Sequence, residues 1–135
     1  MKIYFAGSIR GGREIVYDYN KIINYLDKNN IVLDKHIGDT NLSNKGESLD
    51  KEDIYNRDIS WIKECDILIA DVSIPSLGVG YEISYAEKLN KKIICIYEKD
   101  TNLSAMISGN NNLIKIEYNN IDDLINKIDN IMQVR

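Results

Sequence analysis

Asp66-Ile67-Leu68-Ile69-Ala70-Asp71-Val72 is the stretch on which the fold turns. Between the two aspartates the residues are apolar without interruption. A strand with one wet face would alternate, so this pattern predicts a strand buried on both faces. Such strands belong to parallel sheets with helices packed on each side. Downstream, Ser73-Ile74-Pro75-Ser76-Leu77-Gly78-Val79-Gly80 turns at the proline, and a helix from about Val79 to Asn90 follows. Upstream, Asp50 or Asp53 is placed to cap a helix that runs to about Glu64. The same alternation extends to both ends of the chain. Ile3 to Ala6 reads as a strand stopped at Gly7, and Ile15, Tyr19, Ile22, Ile23 and Leu26 give Arg13 to Asn29 a helical period. Ile31 to Leu33, Lys92 to Tyr97 and Leu113 to Tyr118 read as strands, and Gly38 to Asp50 as a polar loop. The last helix, about Asn120 to Met132, puts Ile121, Leu124, Ile125, Ile128, Ile131 and Met132 on one face. This order predicts an α/β, doubly wound, flavodoxin-like three-layer sandwich with a five-stranded parallel sheet. Residues 1–135 are expected to form one domain.

Composition narrows the function. Seventeen basic residues scattered among 21 acidic ones give a net charge of −4 and no basic stripe for a nucleic-acid backbone. Cys65 and Cys95 are far apart and flanked by apolar residues, so both are expected to be buried free thiols in a reducing compartment. With one histidine in the chain, no zinc-ligand cluster can be drawn, and no cofactor is implied. Met1 to Gly7 is too short an apolar run for a signal peptide, and no stretch approaches a membrane span. A cytoplasmic protein is expected.

In doubly wound sheets ligands bind beyond the carboxyl ends of the strands, where strand order reverses. Three segments reach that edge. Gly7-Ser8-Ile9-Arg10-Gly11-Gly12-Arg13 lies between a strand and a helix, where glycines admit close approach and free N–H groups attract an anion. It matches neither a Walker loop nor a dinucleotide fingerprint, and an ordinary strand-to-helix turn explains it as well. In the second segment, Ser76 and the amides near Gly78 suit a phosphate, and Glu82 falls in the first turn of a helix. A lone glutamate there is merely favourable. Asp58 changes that balance, because it shares a stripe with Ile54, Trp61, Ile62 and Cys65, whereas Arg57 and Asp53 are expected to face solvent. An inward carboxylate is costly unless paired or functional, and two carboxylates on one cleft suit cleavage of a glycosidic bond. His36 follows the second strand near the rim, and a solvent-exposed residue is an equal reading of it. Tyr4 is explained by packing, although its hydroxyl suits orienting a carboxylate. Ser104, in the third segment, reads as the cap of a short helix.

Together these residues resemble the 2'-deoxynucleoside 5'-phosphate N-hydrolases of the nucleoside 2-deoxyribosyltransferase superfamily. The matching blocks are Tyr4 to Arg13, Asp58-Ile59-Ser60-Trp61-Ile62, Pro75-Ser76-Leu77-Gly78-Val79-Gly80-Tyr81-Glu82 and Leu103-Ser104-Ala105-Met106-Ile107. The resemblance implies a flavodoxin-like subunit, a homodimer, and a small deoxynucleotide as substrate. It implies Glu82 as the nucleophile that forms a covalent deoxyribosyl 5-phosphate intermediate, Asp58 as the acid assisting the departing base, and Tyr4 as the residue that positions the carboxylate. By the same resemblance Ser8, Ile9, Arg10, Ser76 and Gly78 cradle the 5'-phosphate, Gly7 is among the substrate-binding residues, and Ser104 reaches the phosphate from the neighbouring subunit. His36 and Met106 match positions that line the site, and Asp71 stands where relatives carry an acidic residue.

Three rival readings share these residues. A deoxyribosyltransferase would pass the sugar to a second base, and a related hydrolase would cleave modified cytidine monophosphates. A non-catalytic nucleotide sensor would bind without releasing base, but it has no reason to keep both Glu82 and Asp58.

Overall fold

The central strand β3 (Ile67–Asp71) is buried at all five positions, as its composition requires. A computed structural model describes residues 1–8, 16–38 and 48–133 of the protein. Around β3 lie β1 (Lys2–Ala6), β2 (Ile31–Val32), β4 (Lys92–Glu98) and β5 (Ile114–Tyr118). The strands are ordered β2-β1-β3-β4-β5 and all pair in parallel. Strand order reverses between β1 and β3, whose register places Tyr4 opposite Leu68 and Ala6 opposite Ala70.

Five helices are described: α1 (Val16–Asp27), α2 (Lys51–Glu64), α3 (Leu77–Lys88), α4 (Ala105–Ser108) and α5 (Ile121–Gln133). They divide between the two faces of the sheet according to strand periodicity. Ile3, Phe5, Ile67, Ile69, Ile94 and Ile96 point toward α1 and α5, and meet Tyr19, Ile22, Leu26, Leu124 and Ile128. Tyr4, Ala6, Leu68, Ala70, Ile93 and Cys95 point the other way, toward Ile62 of α2 and Val79, Ile83 and Ala86 of α3. The expected three layers are therefore present. Cys65 and Cys95 are buried and unpaired, and burial pushes their thiols up to about 11 and about 12. No helix of the described residues is long and apolar enough to cross a membrane.

Boundaries differ from the sequence expectation where caps intervene. α3 starts at Leu77 instead of Val79, because the Ser76 hydroxyl accepts from Val79 N at 3.3 Å and closes the first turn. Asp50 takes the N-cap position of α2 without a side-chain capping bond. Ser104 caps α4, accepting from Met106 N at 3.2 Å, as its position suggests. β2 stops at Val32, one residue short of the expected strand, and the chain enters a 3-10 turn over Lys35–Gly38. The expected helix start at Arg13 and most of the polar loop after Gly38 fall outside the described residues.

At the end of β1 the two layers are locked by one close approach. Tyr19 of α1 is fully buried, stacks edge-on to Phe5 at 5.4 Å, and accepts from Ser8 N at 3.1 Å. A Cβ on Gly7 would lie 2.7 Å from Tyr19 Cε2 and 2.9 Å from Cζ. Gly7 is therefore required by packing. Replacing it with Ala is expected to destabilise the fold by about 1–3 kcal/mol, as overpacking does, and urea denaturation of G7A measures this. A paired Tyr19→Phe change would not relieve the loss, since the ring carbons remain.

Candidate active site

The reversal of strand order between β1 and β3 opens the sheet edge over which α2 and α3 lie. From β1, Tyr4 projects into this layer with only 3% of its surface exposed, and its hydroxyl donates to Glu82 Oε2 of α3. Asp58 projects from α2. Tyr4, Gly7, Asp34, His36, Asp58 and Glu82 line one cavity of about 50 Å³. Five of the residues singled out in the sequence thus converge in space, and Asp34 joins them.

Charge in this cavity is crowded. Burial pushes the half-buried Glu82 up to about 7, and Asp58 adds to the rise. The Tyr4 hydrogen bond and Arg57 pull in the opposite direction. Tyr4 itself is held far above the ordinary phenol range by burial, reinforced by Glu82, Asp34 and Asp58. It therefore remains a neutral donor, which is the form that can orient a carboxylate. Asp58 is gripped by Arg57, whose Nη2 and Nε stand 2.9 and 3.0 Å from Oδ1. That guanidinium also lies 4.8 Å over the Trp61 ring and 3.4 Å from His36 Nε2.

Arg57 corrects the sequence expectation. It does not face solvent: its side chain is 22% exposed and clamped between a carboxylate and an indole. The apolar stem and planar head of arginine let it join the inward stripe that was expected to hold only Asp58. Asp34 was missed altogether. It sits two residues beyond β2, past the carboxyl end of a strand, and that position is the signal that would have found it.

The remaining predicted residues lie elsewhere. Ser8 is fully buried at the end of β1, and its hydroxyl has no hydrogen-bond partner among the described residues. Ile9, Arg10 and Arg13 lie outside the described residues. Ser76, Ser104 and Met106 line a separate groove of about 550 Å³ between α3 and α4, which includes Pro75, Leu77 and Ile107 but neither Glu82 nor Asp58. Gly78 is exposed at the start of α3, where a Cβ would come no nearer than 3.9 Å to Ser76 Oγ. Its side of the helix is open. Asp71 is buried away from the cavity, accepting from Ser73 N at 2.8 Å and Tyr118 Oη at 3.1 Å.

Chemically, the cluster offers a carboxylate oriented by a phenol beside a second carboxylate paired with a guanidinium. Such a pair can attack an electrophilic carbon and assist a leaving group on the same substrate. Comparison with known proteins agrees with this equipment. The nucleoside 2-deoxyribosyltransferase family profile matches residues 3–132. A 5-hydroxymethyl-dUMP N-hydrolase of Danio rerio is 45% identical over 112 residues, covering 81% of this chain and 78% of its own. A Trichoplax adhaerens protein, provisionally named 2'-deoxynucleoside 5'-phosphate N-hydrolase 1, is 39% identical over 137 residues, covering 98% and 94%. Among solved structures, a Clostridium botulinum CMP N-glycosidase superposes with a TM-score of 0.75 over 97% of this chain and 99% of that one. At 24% identity that likeness is one of fold.

The raised proton affinity of Glu82 has a measurable linkage. Its folded value of about 7 lies above the ordinary 4.5, so its contribution to stability is full below about pH 4.5 and is lost as pH rises through about 7. The loss is at most about 3 kcal/mol at roughly 1.4 kcal/mol per unit. Denaturation at a series of pH values should show this decline in the parent protein and not in Glu82→Gln.

Proposed function

The chain belongs to the nucleoside 2-deoxyribosyltransferase family, whose profile spans residues 3–132, and from that premise we propose that it hydrolyses the N-glycosidic bond of 2'-deoxynucleoside 5'-monophosphates. The products are free base and 2-deoxyribose 5-phosphate. The observation that carries this reading is the Tyr4 hydroxyl donating to Glu82 inside a cavity that Asp58 shares.

In the first step a Glu82 oxygen bonds to the anomeric carbon as the bond from that carbon to the base nitrogen breaks. The electron pair leaves with the base, which takes up a proton through Asp58. Asp58 enters the step protonated, gives that proton to the base, and is left as a carboxylate that Arg57, 2.9 Å away, stabilises. In the second step water cleaves the glycosyl ester, Glu82 regains its carboxylate, and the proton released returns through Asp58. Negative charge on Asp58 also stabilises the oxocarbenium-like transition state. The phosphate anchors the sugar at a distance from the reacting carbon, with Ser8, Ile9, Arg10, Ser76 and Gly78 as its cradle. Hydrolysis is favoured over sugar transfer because both relatives described above carry N-hydrolase names.

The subunit works as a homodimer, and Ser104 reaches the phosphate from the second copy. Two features support this. Leu77 is 97% exposed and Met106 81% exposed, and both line the groove that also holds Ser76 and Ser104. Apolar side chains so open, gathered on one groove, suit burial against another copy. The buried free thiols fit a reducing, cytoplasmic setting.

The test is a panel of deoxynucleoside monophosphates (5-hydroxymethyl-dUMP among them), free nucleosides and ribonucleotides, each with and without an acceptor base. Base release from the deoxynucleotides is expected. Base exchange between free nucleosides, with monophosphates untouched, would overturn the proposal. Glu82→Ala is expected to lower turnover by roughly a thousandfold or more while nucleotide still binds; full turnover would place the nucleophile elsewhere. Ser104→Ala should weaken monophosphate binding by about tenfold, the worth of one hydrogen bond to a charged group, with the dimer intact by sedimentation. Unchanged affinity would remove Ser104 from the cradle.

A further inference from the structure

β2 is short because a side chain completes its ladder. Leu33 N still donates to Ile3 O at 2.9 Å, but the next β1 donor, Phe5 N, is taken at 2.8 Å by Oδ1 of Asp34. The chain then turns away, and Ile37 N donates to Asp34 O at 3.1 Å. Asp34 is left 2% exposed on the wall of the cavity that Tyr4, Asp58 and Glu82 line. The groups facing it are Tyr4 from β1, His36 from the 3-10 turn, Asp58 from α2 and Glu82 from α3. Arg57 pairs with Asp58 at 2.9 Å and is not among the residues that line the cavity. A charged Asp34 would thus set two peptide dipoles, those of Phe5 N and its own N–H, against burial and two neighbouring carboxylates. A neutral carboxyl makes the same bond, since its carbonyl oxygen accepts equally from Phe5 N.

We propose that Asp34 is a positioning residue held as the neutral carboxylic acid: it fixes the Tyr4–Phe5 peptide and leaves ionisation to Glu82. Burial pushes the Asp34 carboxyl well above the ordinary range, Phe5 N opposes the rise, and Glu82 and Asp58 add to it. When Asp34 does ionise at alkaline pH, the cavity gains a negative charge against an anionic substrate and against the carboxylate that must approach it. Activity should then fall.

The activity arm of the test rests on the hydrolase proposed above, and the titration arms stand without it. In the parent protein kcat/KM is expected to rise through the Glu82 titration and fall about tenfold per pH unit on the alkaline side. Asp34→Asn keeps an acceptor for Phe5 N, so it should abolish the alkaline fall and leave the acid limb in place. Carboxyl carbon NMR should show one aspartate still protonated at neutral pH that is missing from D34N. The Phe5 amide nitrogen should follow the same titration in the unsubstituted protein, which keeps the test open if D34N does not fold. An alkaline limb that persists in D34N, an acid limb that moves down by a unit or more, or a Phe5 amide that titrates with the ordinary carboxylates would overturn the proposal. If no monophosphate is hydrolysed, the hydrolase reading fails, and the two NMR titrations still decide the state of Asp34.

Discussion

A parallel strand with five buried residues has to be covered on both faces, and most of the molecule follows from that requirement. Covering β3 brings α1 and α5 to one side and α2 and α3 to the other. Placing α2 and α3 on the same face is what lets Asp58 and Glu82 approach one another, although 24 positions separate them in the chain (82 less 58). Tyr4 lies in the strand beneath and reaches upward between them. The carboxylate cluster is thus assembled from three elements that the apolar core holds in fixed relation.

Carboxylates gathered in a small cavity repel one another, and each acid here has a different answer. Asp58 has a guanidinium, Glu82 has a phenol hydroxyl, and Asp34 has the backbone N–H groups of Phe5 and of its own residue. The three environments differ, and acids of one type in different environments can take different roles. Tyr4 belongs to the same economy. A phenol that stays neutral is a permanent donor, and it can hold Glu82 without neutralising it.

The layers and the strand sequence were legible because burial writes a simple code: unbroken apolar runs in strands and a 3.6-residue period in helices. Boundaries were less so, since they depend on caps such as Ser76 that act through one hydroxyl. Glu82, Asp58 and Tyr4 were read as a site from position and resemblance, and the structure brings them into contact range of one another. Arg57 and Asp34 were not read. Arginine is ordinarily placed on the surface by its charge, yet here its stem and planar head pack on Trp61. Asp34 lies two residues beyond a strand that is itself only Ile31–Val32, too short for periodicity to show that its side chain turns inward. The serines Ser76 and Ser104 illustrate a different limit. Their capping roles are complete within one chain, so nothing local betrays whether a ligand or a second copy also uses them.

The shortness of β2 has a consequence for how the protein keeps to itself. It is the outer strand beside β1, and outer strands invite pairing by foreign chains. Two residues of ladder give such a chain little to hold, and the next β1 donor is already satisfied by a carboxyl group that no incoming strand can easily displace. A substitution that freed Phe5 N would lengthen the open template at that margin of the sheet. The aspartate on the wall of the carboxylate cavity therefore also closes that margin of the sheet.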